Sequence, residues 1–249
     1  MNNNVFYKIS IHQAYNIKAY KWRVSIMFML LNVFFLLILK GCGGTPIEIT
    51  FREQIRHFLE TRLFVDSTAN KDFNLGNTNS DQGFIYILGG SHKSLRLKFQ
   101  VAADLYDKDR ADTIMILNST RMTEFDKELD RNLTDNEWSV KQLTSLGVEA
   151  EHIEFIDIEP GFFGTLSEAR TLANLAEIKE IQNLYLVNSS YHSRRVLVTF
   201  SALFRDSGVD IKIHGADKWI KIPGLFIEYG KVILYEYALI PYNLWKQSG

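Results

Sequence analysis

A single cysteine, Cys42, occurs in the 249 residues, which excludes an internal disulfide and any cysteine-based metal cluster. An excess of one charge sign is also missing. With 28 basic and 29 acidic side chains the net charge is −1, so no global field recruits nucleic acid or anionic lipid, and any anion site must be local. No serine stands in G-x-S-x-G and no histidine pair has H-E-x-x-H spacing, so hydrolase-elbow and zinc-protease readings have no support. His57, His152 and His214 are scattered along the chain, and no metal site is expected from them. There is no internal repeat and no low-complexity tract. What is present is 46% apolar and 23% charged residues, enough to bury one good-sized α/β core.

Residues 1–44 read as a targeting segment. Lys8, Lys18, Lys21 and Arg23 precede the uncharged run Val24 to Leu39. As a helix that run covers about 24 Å, somewhat short of a comfortable bilayer span, so it is either a snug signal anchor or the core of a signal peptide. The basic side stays in the cytoplasm by the positive-inside rule, and the rest of the chain is expected to be exported. Leu39-Lys40-Gly41-Cys42-Gly43-Gly44 resembles the lipobox of bacterial lipoproteins, although Lys40 stands where that pattern has a small uncharged residue. Lipidation at Cys42 and an uncleaved anchor are thus the two readings. Both attach the protein to a bacterial cell membrane with its domain on the extracytoplasmic face.

Residues 45–82 contain an amphipathic helix, Phe51 to Phe64, in which Ile55, Phe58, Leu59 and Leu63 recur at helical spacing; the loop Asn70 to Gln82 follows. Residues 83–249 form the domain proper. Short apolar runs at Phe84 to Leu88, Thr113 to Leu117, Ile153 to Asp157, Leu184 to Val187 and Val209 to Ile213 read as strands. They alternate with helical patterns at Leu95 to Tyr106, Asn136 to Leu146, Thr165 to Ile178 and from Tyr191 to Phe204. Such alternation predicts an α/β doubly wound sheet of about five parallel strands. The tail, Trp219 to Trp245, is expected to end in a packed aromatic helix.

The stretch Leu184 to Phe200 organises the rest: a buried strand, a polar turn Asn188-Ser189-Ser190, then a helix with His192 and Arg195 in its first turn. In a parallel sheet, ligands bind beyond the carboxyl ends of the strands, where helix N-termini offer free N–H groups to an anion. The other strand ends carry Gly89-Gly90-Ser91-His92, Asn118-Ser119-Thr120 and the run Asp157 to Gly164. Small and hydroxyl residues there would let a phosphate approach the backbone. The glycine pair is neither G-x-G-x-x-G nor a P-loop.

Taken in order, Ile87-Leu88-Gly89-Gly90, Arg96, Ala103 with Leu105-Tyr106, Glu137, Gly147-Val148, Thr165 with Glu168, and Leu186-Val187-Asn188-Ser189-Ser190-Tyr191-His192 with Arg195 resemble the bacterial family named for YdcF, SanA and ElyC. The likeness covers roughly residues 83 to 235. It implies a Rossmann-like domain, often behind one N-terminal membrane segment, connected with envelope integrity and polyprenyl-phosphate-dependent wall synthesis. One cytoplasmic relative is described as binding S-adenosylmethionine. The family's glycines fall on Gly89 and Gly90, its arginines on Arg96 and Arg195, its glutamate on Glu137, its threonine on Thr165 and its histidine on His192. Asn118-Ser119-Thr120 replaces the usual Ser-Gly-Gly, with a longer insert reaching Thr134. Trp138 follows Glu137 where relatives have alanine, and Glu168 is displaced by one position.

The chemistry these residues offer is that of a phosphate-bearing small ligand, with no cofactor specified. His192 is either a general acid or base, a ligand to a phosphoryl oxygen, or a histidine that only bonds the turn. Arg195 and Arg96 either clamp an anion or form helix salt bridges. Glu137 and Glu168 either pair for proton transfer or sit as dipole partners at helix starts. Gly89, Gly90, Ser91, Asn118, Ser119, Thr165, Ser189 and Ser190 are the expected ligand contacts. An enzyme acting on an envelope phosphate and a non-catalytic module for a nucleotide-like or S-adenosylmethionine-type ligand are the two functional expectations.

Overall fold

The computed structural model describes residues 46–65, 83–158, 163–216 and 220–248. The run Val24 to Leu39, Cys42, the loop Asn70 to Gln82 and Trp219 lie outside them. The chain divides into two compact units, Met1–Ile55 and Arg56–Gly249, with the boundary inside helix α1 (Pro46–Leu63). Only the opening turns of α1 represent the first unit. In the second, Leu59 and Leu63 of α1 are fully buried, while Arg56 pairs with Glu60 at 3.0 Å and donates to the Ile220 carbonyl at 3.0 Å. No described helix is long and apolar enough to cross a membrane.

Five parallel strands form the sheet: β1 (Gly83–Ile87), β2 (Thr113–Leu117), β5 (Ile153–Ile156), β6 (Asn183–Asn188) and β7 (Asp210–Gly215). Their order is β5-β2-β1-β6-β7. From β1 the chain winds outward through β2 to β5, then returns to the other side of β1 for β6 and β7. Ile85 pairs with Ile114 on one side and with Tyr185 on the other. This is a Rossmann-like doubly wound sheet, and the reversal of winding falls between β1 and β6, where such sheets open a crevice at their carboxyl edge.

Both faces of the sheet are covered, so the strands read as continuous apolar runs. Ile85, Ile87, Ile114, Ile116 and Val187 pack against Phe99 and Ala102 of α2 (His92–Asp107) and Trp138 and Leu143 of α3 (Asp135–Thr144). On the opposite face Tyr86, Leu88, Met115 and Leu186 meet Ala169 and Leu172 of α4 (Gly164–Ile178) and Val196 and Phe200 of α5 (Ser193–Leu203). Alternate residues of β1 thereby serve two cores.

Three elements differ from the sequence expectation. The insert ending at Thr134 is an antiparallel hairpin of β3 (Met122–Asp126) and β4 (Arg131–Thr134). Its strands show no apolar alternation because most of their residues are exposed, and Asp126 instead holds the turn by accepting from the Glu128 and Leu129 N–H groups. After β6 a 3-10 turn, Ser190–His192, precedes α5, so His192 sits at the N-cap of that helix and not inside it. The tail, α6 (Ile222–Leu234), a π-turn Tyr235–Leu239 and α7 (Ile240–Ser248), does end in a helix, but α7 packs through Ile240 and Leu244 and leaves its aromatics Tyr242 and Trp245 exposed.

Candidate functional site

Strand β1 leads into Gly89-Gly90, and Ser91 then caps α2 by accepting from the Ser94 N–H. Beneath this bend lies Lys98, only 1% exposed, whose Nζ donates to the Leu88 and Gly89 carbonyls, both at 2.9 Å. The ammonium is so close that a Cβ on Gly90 would stand 3.0 Å from it. From the neighbouring strand, Ser189 Oγ meets Ser94 Oγ at 2.8 Å, which ties the end of β6 to the first turn of α2. Both sides of the crevice are therefore fixed by side-chain bonds.

Glu168, on the second turn of α4, reaches over the same bend. Its carboxylate accepts the Gly89 N–H, and a Cβ on Gly89 would meet Oε1 at 3.3 Å. Burial pushes its pKa up to about 7, against the pull of the Lys98 charge, the Gly89 N–H and Arg195. The carboxyl is thus poised to hold or release a proton near neutrality. Tyr86 Oη, buried beside Glu168, is pushed well above the ordinary phenol range by burial and then by that carboxyl.

His192, Arg195 and Glu228 form the second half of the site. Glu228, on α6 and 2% exposed, accepts Arg195 Nε at 2.5 Å and lies 2.9 Å from His192 Nδ1. Arg195 also donates to Thr165 Oγ1, and its guanidinium stacks over the Tyr235 ring at 5.4 Å. Its Nη2 approaches the same His192 Nδ1 at 2.9 Å. One ring nitrogen cannot donate to Glu228 and accept from Arg195 at once. Burial opposes ionisation of Glu228, yet its bonds to His192 and Arg195 hold the carboxyl well below its usual range, so it is an anion that needs donors. We therefore assign Nδ1–H to Glu228, which leaves Nε2 as the nitrogen that exchanges a proton. Burial lowers the His192 pKa despite the glutamate, so the ring is neutral at pH 7. Lys98 and Arg195 each act electrostatically on both Glu168 and His192, and the four make one charge cluster.

Tyr86 Oη, Asn188 Nδ2 and Ser190 Oγ are buried polar atoms without a hydrogen-bond partner among the described residues. Buried polar atoms normally find partners, and these lie on β1, at the end of β6 and in the turn after it. Ser190 is held down by β7, because a Cβ on Gly215 would fall 2.4 Å from its Oγ and 3.1 Å from its Cα. Gly215→Ala should accordingly displace the Ser189-Ser190 turn and cost about 1–3 kcal/mol of stability in urea unfolding. An unchanged midpoint would mean that the turn is softer than its packing implies.

No family model and no curated protein matches this chain. Its function has to be read from the residues gathered at the crossover.

Of the residues singled out in the sequence, Gly89, Gly90, Ser91, Thr165, Glu168, Ser189, Ser190, His192 and Arg195 lie around the crossover. Arg96 and Glu137 are engaged elsewhere. Arg96 pairs with Glu124 of the hairpin at 2.9 Å and lies over the Trp138 ring. Glu137 closes a capping box with Thr134 and takes both nitrogens of Arg131, at 2.6 and 2.9 Å, which hold its carboxyl down to about 2. It thus has the helix-start role and shares no partner with Glu168. Asn118 bonds Asp157 and Asn136, each at 2.7 Å, and Ser119 Oγ donates to Asp135 at 2.6 Å, so both stabilise the rim beside β2.

A groove of about 630 Å³ runs along edge strand β5 and α4, lined by Phe155, Asp157, Ser167, Arg170 and Asn174 among others. It is two strands away from the crossover and touches none of the acid–base cluster. Among the described residues, metal-like proximity occurs only at Glu149, Glu151 and His152; these lie at the amino edge of the sheet, and His152 is bonded to Tyr106 at 2.7 Å.

Lys98, Glu228, Tyr86 and Tyr235 are site residues that no motif in the sequence points to. Two had a visible signal. Lys98 falls on the apolar stripe of α2 beside Leu95, Phe99 and Ala102, where a charge needs a reason. Glu228 is the only acid in the apolar helix Ile222–Leu234. Tyr86 and Tyr235 read as ordinary core aromatics, and nothing in the sequence marks them out.

Proposed function

We propose that this protein binds a phosphate-bearing small ligand at the β1/β6 crossover and moves a proton there, His192 being the acid–base group. What supports the reading is a single arrangement: the Gly89-Gly90 bend, the Ser189-Ser190 turn, buried Lys98, and two proton-holding groups with opposite leanings, Glu168 raised and His192 lowered. Groups whose environments push their pKa values apart are what acid–base catalysis uses. Glu228 orients His192 as the carboxylate of a catalytic triad does, and Thr165 with Tyr235 fixes Arg195 in turn. The Gly90 N–H would stabilise negative charge on the ligand, that of Gly89 being taken by Glu168.

The resemblance to the YdcF, SanA and ElyC family suggests the ligand class, polyprenyl phosphates or nucleotide sugars of envelope synthesis. With it goes attachment to the extracytoplasmic face of a bacterial membrane, through the run Val24 to Leu39 or a lipid on Cys42. The second reading is a binding module for a nucleotide-like ligand without turnover. It is favoured by one observation: Arg195 has all three of its nitrogens in contact with Glu228, Thr165 and His192, so no arginine fork at the crossover awaits a transferring phosphoryl group.

Incubating the full-length protein with polyprenyl phosphates and nucleotide sugars, beside His192→Ala, separates the two. The enzyme reading expects product from the wild type and a loss of about 10²–10⁴-fold in the variant. Ligand retained by both proteins with product from neither would establish the binding module.

A further inference from the structure

A second constellation lies on the same edge of the sheet, beyond β1 and β2. Asp135, 8% exposed, collects three side chains from separate segments: Ser119 Oγ at 2.6 Å, His92 Nε2 at 2.7 Å and Arg121 Nε at 3.0 Å. Burial would raise this carboxyl, but the three donors outweigh it and hold the group below its usual range. Helix α3 is already capped by Thr134 and Glu137, so the Asp135 carboxylate is not spent on the helix. Its effect is on the orientation of a ring and a guanidinium.

A pin that merely fastened α2 to α3 would be satisfied with both partners covered. Instead the His92 side chain is 44% exposed and that of Arg121 78%. The His92 ring rests on Trp138 with centroids 4.6 Å apart, which sets its plane, and the adjoining Arg96 and Glu124 neutralise each other. Among the described residues Arg121 Nη1 and Nη2 and His92 Nδ1 have no hydrogen-bond partner. Held by the two oxygens of one carboxylate, Arg121 keeps two donors and His92 one ring nitrogen unused, a set that matches one kind of ligand group.

We propose that His92, Arg121, Ser119 and Asp135 form an anion subsite that takes a phosphate group, Arg121 holding two of its oxygens and His92 Nδ1 a third. With Nε2–H given to Asp135, Nδ1 is left to accept from the hydroxyl of a singly protonated phosphate. A carboxylate lacks that hydroxyl at neutral pH and fits less well. The subsite goes beyond the crossover cradle and uses none of its residues.

The test is a titration of the full-length protein, in detergent and at pH 7, with inorganic phosphate, followed through the ring signals of isotopically labelled histidine. Acetate and chloride at equal ionic strength serve as controls, and the His92 signal is assigned with His92→Gln. Phosphate should shift the His92 resonances saturably, and Arg121→Gln should weaken that response about tenfold by removing the charge-assisted bonds. His192→Ala should leave it intact. Phosphate that moves His92 alone upholds the subsite even if the crossover cradle fails as a phosphate site. A shift of His192 alone does the reverse. His92 signals that respond equally to acetate, or equally in Arg121→Gln, would mark an adventitious ion only and overturn the proposal.

Discussion

Glu228→Ala is expected to destabilise the domain by about 3–5 kcal/mol, the cost of breaking a buried ion pair from one side. The glutamate is 2% exposed and is the only acid within bonding distance of Arg195 among the described residues. Its loss leaves a guanidinium 9% exposed and still charged, with Thr165, Tyr235 and a ring nitrogen but no anion around it. His192 loses its orienting acceptor in the same step, so any turnover should fall together with stability. Glu228→Gln retains shape and an acceptor oxygen and should cost less, while still altering the His192 titration. Chemical denaturation of the two variants beside wild type measures the difference, and near-equal midpoints for Ala and wild type would show the pair to be dispensable.

Stability should depend on pH through Glu168 in the direction opposite to an ordinary surface glutamate. Its carboxyl titrates at about 7 in the fold against 4.5 when free, so the folded chain holds a proton that the unfolded chain has released. The contribution is complete below pH 4.5 and disappears as pH rises through 7, a change of up to roughly 3 kcal/mol for this shift, less whatever solvent reaches the half-buried side chain. His192 works the other way: its lowered pKa adds stability that is present above 6.5 and lost as pH falls through the folded value. Glu168→Gln isolates the first effect, because the amide imitates the protonated acid at every pH. Wild type should lie close to Gln at pH 5 and fall behind it by pH 8. A wild type that gains on Gln as pH rises would mean the carboxylate is ionised and paired with Lys98 throughout, and Glu168 would lose its part in proton transfer.

Much of the framework was legible because hydrophobic periodicity records burial directly. The apolar runs Phe84 to Leu88 and Leu184 to Val187 are covered on both faces, and their spacing from helical patterns left one topology class to consider. The hairpin was not legible, since its short strands are paired mainly with each other and bury little, so no alternation is imposed on them. The start of α5 departs from the sequence pattern for a local reason. Ser189 and Ser190 read as caps, whereas Ser189 Oγ bonds Ser94, Ser190 Oγ caps nothing and the backbone takes a 3-10 turn first.

Site residues divide along similar lines. His192 and Arg195 were visible because they lie one helical turn apart beside a strand end. Glu137 and Glu168 looked alike, two acids near helix starts, and only their surroundings separate them: Arg131 and the Thr134 cap hold the first near 2, while burial against the glycine bend lifts the second to about 7. Arg96 and Arg195 diverge in the same way, one facing a hairpin glutamate and the other enclosed by α4, α6 and the π-turn.

By itself the sequence determined the class of fold, the places where strands end, and the type of chemistry that small, hydroxyl and basic residues offer there, because each of these depends on neighbours within a few positions. The tertiary structure alone decided which distant partners met: Lys98 under the Gly89-Gly90 bend, Glu228 between His192 and Arg195, Asp135 among Ser119, His92 and Arg121. The physical reason is that protonation state and charge pairing are set by what lies within a few ångströms in space, and here those neighbours are separated by as many as 43 positions along the chain.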